Sequence, residues 1–270
     1  MKNEIELIPS YWANVSGGKD SLFMLKLILS NLDRYPLDGV VHFELDIDYP
    51  FIHDVIAYME RECSKYNIPF YRISPRKTWE ELYYTKFATG SIHGFPTRTA
   101  RWCNSEYKLD SYSQLSAIMA ASGRSVVSYI GYCYDEEKRY NKRTKKQEIY
   151  PLVENGIYED TILQWAKHID LFNNYYISNK RCGCMYCPLS SMITYAYLYK
   201  YYPRHFDYMI DKMRETEHLR SIELGRSFSV ISSKPKYNAD YLEHIIKTKW
   251  IYKLNQVENE YKESECFIYG

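Results

Sequence analysis

A chain of 270 residues, 46% of them hydrophobic, can bury a full core, and its formal charge of +1 excludes a surface built throughout for nucleic acid. No apolar run reaches the length of a membrane span, and the opening Met1-Lys2-Asn3-Glu4-Ile5-Glu6 is too charged for a signal peptide, so a cytoplasmic protein with no membrane contact is expected. Seven cysteines without a secretory context favour metal binding or thiol chemistry over a disulfide framework.

The first half alternates short apolar runs with helical periodicity, the pattern of a parallel α/β sheet. Strands are expected at 11–15, 39–45, 70–73 and 125–130, with a short strand or loop at 148–152. Helices are expected at 22–32, 51–66, 79–87 and 109–122. Beyond about Asn155 the pattern becomes helical, at 159–172, 190–201, 205–216 and 239–254. The expected architecture is a Rossmann-like, mostly parallel α/β domain over residues 1–155, with a helical region over 156–270 packed on it.

The first strand hands over to the first helix through Ser16-Gly17-Gly18-Lys19-Asp20-Ser21. Two glycines let the backbone turn sharply and approach an anion, and the helix that follows aims its unpaired N–H groups and positive dipole end at the same point. Lys19 adds a cation, Ser16 and Ser21 add hydroxyl donors, and Asp20 can hold magnesium through water. The spacing differs from Walker A and from Gly-x-Gly-x-x-Gly. It resembles the pyrophosphate loop of the ATP pyrophosphatases in the adenine-nucleotide α-hydrolase-like superfamily.

In open parallel sheets ligands bind beyond the carboxyl ends of the strands, which singles out three further segments. They are Glu44-Leu45-Asp46-Ile47-Asp48, the stretch from Gly94 to Cys103 with Lys108 beyond it, and Gly131 to Arg139. Gly94-Phe95-Pro96, Arg101-Trp102-Cys103, Lys108, Gly131, Glu136, Arg139, Tyr150-Pro151-Leu152 and Gly183-Cys184-Met185-Tyr186-Cys187-Pro188 follow the loop in an order similar to the phosphoadenosine phosphosulfate reductase-like family. The resemblance implies that superfamily's sheet, binding of an adenine nucleotide (ATP with Mg2+), and Arg101, Lys108 and Arg139 as anion ligands. Where the family often has Asp-Thr-Gly after the second strand, this chain has Glu44-Leu45-Asp46 or, in a shifted register, Asp46-Ile47-Asp48; Asp46 is taken as the ribose or metal contact.

Cys182, Cys184 and Cys187 lie within six residues, Gly183 permits a tight turn, and three thiols so spaced can bend around one metal or cluster. The family resemblance implies Cys103 as the fourth ligand and a 4Fe–4S cluster, with zinc as the alternative that four thiolates equally suit. Cys63, among apolar neighbours in a helix, reads as a core residue, and Cys133 as either core or site. Cys266 faintly resembles the reactive tail cysteine of sulfonucleotide reductases. The basic run from Lys138 to Lys146 is a solvated loop or a guide for tRNA or DNA, and the tyrosines from Tyr195 to Tyr202 are packing residues.

Three functions follow. The first is an ATP pyrophosphatase in which Lys19, Asp20, Arg101 and Arg139 assist adenylylation of an acceptor, coupled to sulfur transfer and served by a sulfur or electron donor protein. The second is a sulfonucleotide reductase with Cys266 as nucleophile. The third is a non-catalytic nucleotide- or nucleic-acid-binding module with structural zinc.

Overall fold

The computed structural model describes residues 7–141 and 147–269, with side chains through residue 264. The chain divides into two compact units, one formed by residues 1–76 with 108–173 and the other by 77–107 with 174–270. The division expected near residue 155 therefore differs from the structure at two places. Residues 77–107 leave the sheet unit after its third strand, and residues 156–173 stay with it.

The first unit is built on five strands, β1 (Ile8–Val15), β2 (Gly39–Phe43), β3 (Phe70–Ile73), β4 (Arg124–Tyr129) and β5 (Glu148–Ile149), all parallel in the order β3-β2-β1-β4-β5. Register is set by pairs such as Ala13 with Val40 and Ala13 with Tyr129. The strand order reverses between β1 and β4, so the loops leaving these strands meet in the crevice where open α/β sheets bind ligands.

Both faces of the sheet are covered, which is why its strands read as near-continuous apolar runs. Trp12, Val41, Val126 and Leu115 form a core on one face, with Phe43, Ile73, Tyr112 and Met119 against them. Leu115 belongs to α4 (Leu109–Ala121). Helices α1 (Lys19–Leu29) and α2 (Pro50–Ser64) bury Leu22, Leu25, Ile28, Val55, Ile56 and Met59. Cys63 is among these core residues and burial pushes its thiol up to about 12. The short α5 (Glu137–Tyr140) and α6 (Pro151–Glu154) follow β4 and β5, and α7 (Glu159–Lys167) packs beside α1. Phe23 of α1 meets Trp165 of α7 edge to face at 5.2 Å, an apolar contact that holds α7 in this unit.

The second unit contains α3 (Trp79–Tyr83), α8 (Tyr175–Ser178), α9 (Met192–Tyr201), α10 (Pro203–Leu224), α11 (Ala239–Ile245) and α12 (Ile251–Tyr269). The helix expected at 79–87 ends at Tyr83, after a start secured by a capping box between Thr78 and Glu81. The helix expected at 205–216 runs instead from Pro203 to Leu224, with proline in the first turn and Gly225 closing it at φ +61°. A π-helical turn, Ile246–Trp250, joins α11 to α12 where one continuous helix was expected. Tyr195 and Tyr197 are buried packing residues, and Tyr197 lies against Tyr175 and Tyr201. Among the described residues no helix is long and apolar enough to cross a membrane.

Candidate functional site

The hexapeptide after β1 folds as a tight, self-bonded loop. Gly17 adopts φ +75°, and a Cβ there would stand 2.7 Å from Cγ2 of Ile52, so both the turn and its contact with α2 require glycine. Gly18 is the N-cap of α1 and offers no side-chain oxygen to the first-turn amides. The helix starts at Lys19 rather than at residue 22, so Lys19, Asp20 and Ser21 form its first turn. Ser21 Oγ donates to the Gly18 carbonyl at 2.9 Å and accepts from the Ser16 amide at 3.2 Å, pinning the two ends of the loop together.

Gly131, leaving β4, backs this loop across the switch point. A Cβ on Gly131 would come within 3.1 Å of the Asp20 carbonyl oxygen and 3.4 Å of the Ser21 nitrogen. Behind the other end of the loop, buried His42 donates from Nδ1 to the Val15 carbonyl at 2.9 Å, and its burial lowers its pKa.

Lys19 is buried, 1% exposed, with its Nζ 2.6 Å from Asp20 Oδ1 and 3.6 Å from Glu159 Oε1. Burial raises the Asp20 carboxyl above its ordinary range, and the neighbouring Lys19 charge opposes that rise. The Cys133 thiol lies 3.5 Å from the same carboxylate oxygen, and burial, then the Asp20 charge, pushes the thiol well up. Cys133 is therefore a fully buried neighbour of the loop. Glu136 is buried and accepts from the Cys133 amide at 3.1 Å while pairing with Arg139, whose guanidinium lies 4.4 Å from the Tyr132 ring centre.

After β2, Asp46 is exposed, whereas Asp48 accepts from the Leu45 amide at 3.3 Å. Burial raises the Asp48 carboxyl to about 7, with the Lys108 charge opposing and Asp46 and Glu44 adding to the rise. Lys108 is thus an electrostatic neighbour of Asp48. Asn14 Oδ1 and Ser128 Oγ, near the ends of β1 and β4, and Ser111 Oγ in the first turn of α4 are buried without a hydrogen-bond partner among the described residues. Lys142, Arg143, Lys145 and Lys146 of the basic run lie outside the described residues, as does the Cys266 side chain.

Arg101, Cys103, Cys182, Cys184 and Cys187 belong to the second unit. The 94–103 stretch is anchored to α10: the Phe95 amide donates to Thr216 Oγ1 at 2.7 Å, and Gly94, at φ +67°, leaves no room for a Cβ beside that threonine. Trp102 donates to the Gly94 carbonyl at 3.0 Å. Trp79 then gathers both cysteine-bearing segments, with Trp102, next to Cys103, at 5.7 Å and Tyr186, between Cys184 and Cys187, at 5.2 Å. Arg101 is exposed. Four thiols have the donor chemistry for iron–sulfur or zinc. Among the described residues no group of three or more His, Cys, Asp or Glu side chains is arranged to hold a metal ion.

Sequence reasoning missed Glu159. It stands in the first turn of a helix, where acids are common for dipole reasons alone, so nothing local marks it as a partner of Lys19.

No family model matches the chain. It is 25% identical, over 217 residues, to an uncharacterized protein of Methanocaldococcus jannaschii; the match takes in 74% of this chain and 46% of the relative. The chain thus spans about half the length of the curated relative it matches. Among solved structures it is similar to the U34-tRNA thiolase NcsA from Methanococcus maripaludis with its 4Fe–4S cluster, at 18% identity and a TM-score of 0.37, over 78% of this chain and 72% of that one.

Proposed function

We propose that this protein is a pyrophosphate-loop enzyme that binds ATP with Mg2+ and transfers its adenylyl group to an acceptor oxygen, as the activating half of a sulfur transfer. The observation that carries this reading is the start of α1, with no side-chain cap, placed at the β1/β4 switch point between the Gly17 turn and the close approach of Gly131, with Lys19 buried beside it. That arrangement presents backbone donors, a helix dipole and one cation to a polyphosphate. The buried, unpartnered oxygens of Asn14 and Ser128, near the ends of β1 and β4, also suit a ligand that brings hydrogen-bonding groups to this edge.

In the proposed reaction the acceptor oxygen attacks the α-phosphorus, the bond from that phosphorus to the α,β-bridging oxygen breaks, and pyrophosphate leaves with the electron pair. The negative charge growing on the leaving group meets the loop amides and Lys19. Asp20 serves the magnesium carried by ATP, and Arg139, oriented by Glu136, is a further anion ligand, as is Lys108. Asp46 is assigned to the ribose or to the metal. A sulfur nucleophile then displaces AMP from the activated acceptor. Cys184 and Cys187, with Cys103 and Cys182, are the thiols assigned to that half.

The test is to incubate the whole chain with ATP and Mg2+ and follow pyrophosphate and AMP against adenylyl sulfates as the competing substrate class. Binding of ATP, with pyrophosphate release that Lys19→Met abolishes, supports the reading. Failure to bind ATP together with reduction of an adenylyl sulfate would replace it with the reductase reading.

A further inference from the structure

The second unit holds a groove of about 680 Å3 between residues 97–99 and the loop at 226–235. That volume lies in the range of small-molecule sites. Arg98 and Arg226 line it, together with hydroxyls such as those of Thr97, Thr99, Ser232 and Ser233, and its described lining contains no carboxylate. Two other arginines of the unit are engaged by acids: Arg214 meets Asp240 at 2.7 Å and Arg220 meets Glu223 at 2.8 Å. Arg98 and Arg226 make no such pair and no hydrogen bond among the described residues.

The walls are held in place by buried polar anchors. The Glu217 carboxylate, in α10, accepts from the amides of Val230 and Ala239, both at 3.1 Å. Ser229 Oγ donates to the Tyr237 carbonyl at 2.7 Å and accepts from the amides of Ile231 and Ser232 at 3.1 and 3.3 Å. Across the groove, Thr97 closes a turn by donating its amide to the Ala100 carbonyl and accepting the Ala100 amide on Oγ1. The loops therefore hold a shape that presents mainly donors, and the loop at 226–237 adds Lys234 and Lys236 to its charge.

Two uncommitted guanidinium forks among hydroxyl donors, with no competing acid, match the several oxygens of a tetrahedral oxyanion ester. We propose that this groove binds a phosphate ester of the acceptor substrate. The anion site stands by itself, and only its role as the acceptor's seat rests on the function proposed above.

Such an ester comes either from a polynucleotide backbone or from a small phosphorylated metabolite. Whole protein without nucleotide is titrated with inorganic phosphate and, separately, with a short single-stranded RNA, using wild type and the exposed-site double variant Arg98→Gln/Arg226→Gln. Circular dichroism verifies that the variant is folded, and MgATP affinity is measured on the same samples. The double variant is expected to bind its probe about tenfold or more weakly, the loss of a charge-assisted hydrogen bond or two. If RNA is the ligand, the slope of log Kobs against log salt falls by about 0.7 for each arginine removed. RNA binding that weakens this way identifies the polynucleotide source, and phosphate binding alone identifies the small ester. Binding of neither probe, or binding that the double variant leaves unchanged, overturns the proposal. MgATP affinity stays the same in the variant; absence of MgATP binding in both proteins would count against the proposed adenylylation and not against the groove.

Discussion

Lys19 Nζ lies 3.6 Å from Glu159 Oε1, although 140 positions separate the two residues in the chain. With Asp20 on its other side, the buried ammonium holds two carboxylates that would otherwise face each other. Removing it leaves them without compensation, so Lys19→Met is expected to destabilise the protein by about 3 kcal/mol. Adding Glu159→Gln should restore part of that loss, while pyrophosphate release stays abolished in both proteins. Urea unfolding and a pyrophosphate assay on the single and double variants separate the two effects.

Gly131→Ala tests the close approach across the switch point. Its Cβ would stand 3.1 Å from a backbone oxygen in the first turn of α1, which cannot swing away as a side chain can. The expected result is a folded protein with MgATP affinity reduced about tenfold, the equivalent of about 1.4 kcal/mol. Gly17→Ala combines a positive φ with a clash on Ile52, and should cost about 1–3 kcal/mol of stability as well.

Asp48 gives the stability a pH dependence of known sign. Its folded-state pKa, about 7, lies above the ordinary value of 3.8, so the folded protein binds the extra proton between these limits. Its contribution is complete below pH 3.8 and is lost as pH rises through 7, with a slope of about −1.4 kcal/mol per unit inside the window. Asp48→Asn removes this component. Urea unfolding of both proteins from pH 4 to 8 should show the variant gaining stability relative to wild type as pH rises.

Glu217 holds the wall of the arginine-lined groove by accepting two backbone amides. In Glu217→Ala both amides lose their acceptor, at about 1–3 kcal/mol each. Glu217→Gln retains one carbonyl oxygen and should fall between the variant and wild type. Limited proteolysis within residues 226–237, read beside urea unfolding, is expected to rank the three proteins in that order.

The alternation of strands and helices in the first half was legible because each element carries its own periodicity, and β3 at Phe70–Ile73 matched its expected bounds. The loop at residues 16–21 was legible for a similar reason: two glycines before a helix specify a turn locally. Helix ends were less so, as at α10, where the expectation began after Pro203 and stopped short of Gly225, although proline and glycine are the residues that open and close it.

What the sequence determined by itself was therefore the parallel α/β class, the glycine turn at residues 16–21 that opens α1, and the spacing of the cysteine segment, all of which depend on neighbours along the chain. Only the tertiary structure decided that Glu159 meets Lys19, that Gly131 backs the loop, that residues 77–107 join the helical unit, and that Arg98 and Arg226 line one groove. These relationships arise when strand order and helix packing bring distant segments together, and no periodicity or spacing within either segment encodes the meeting.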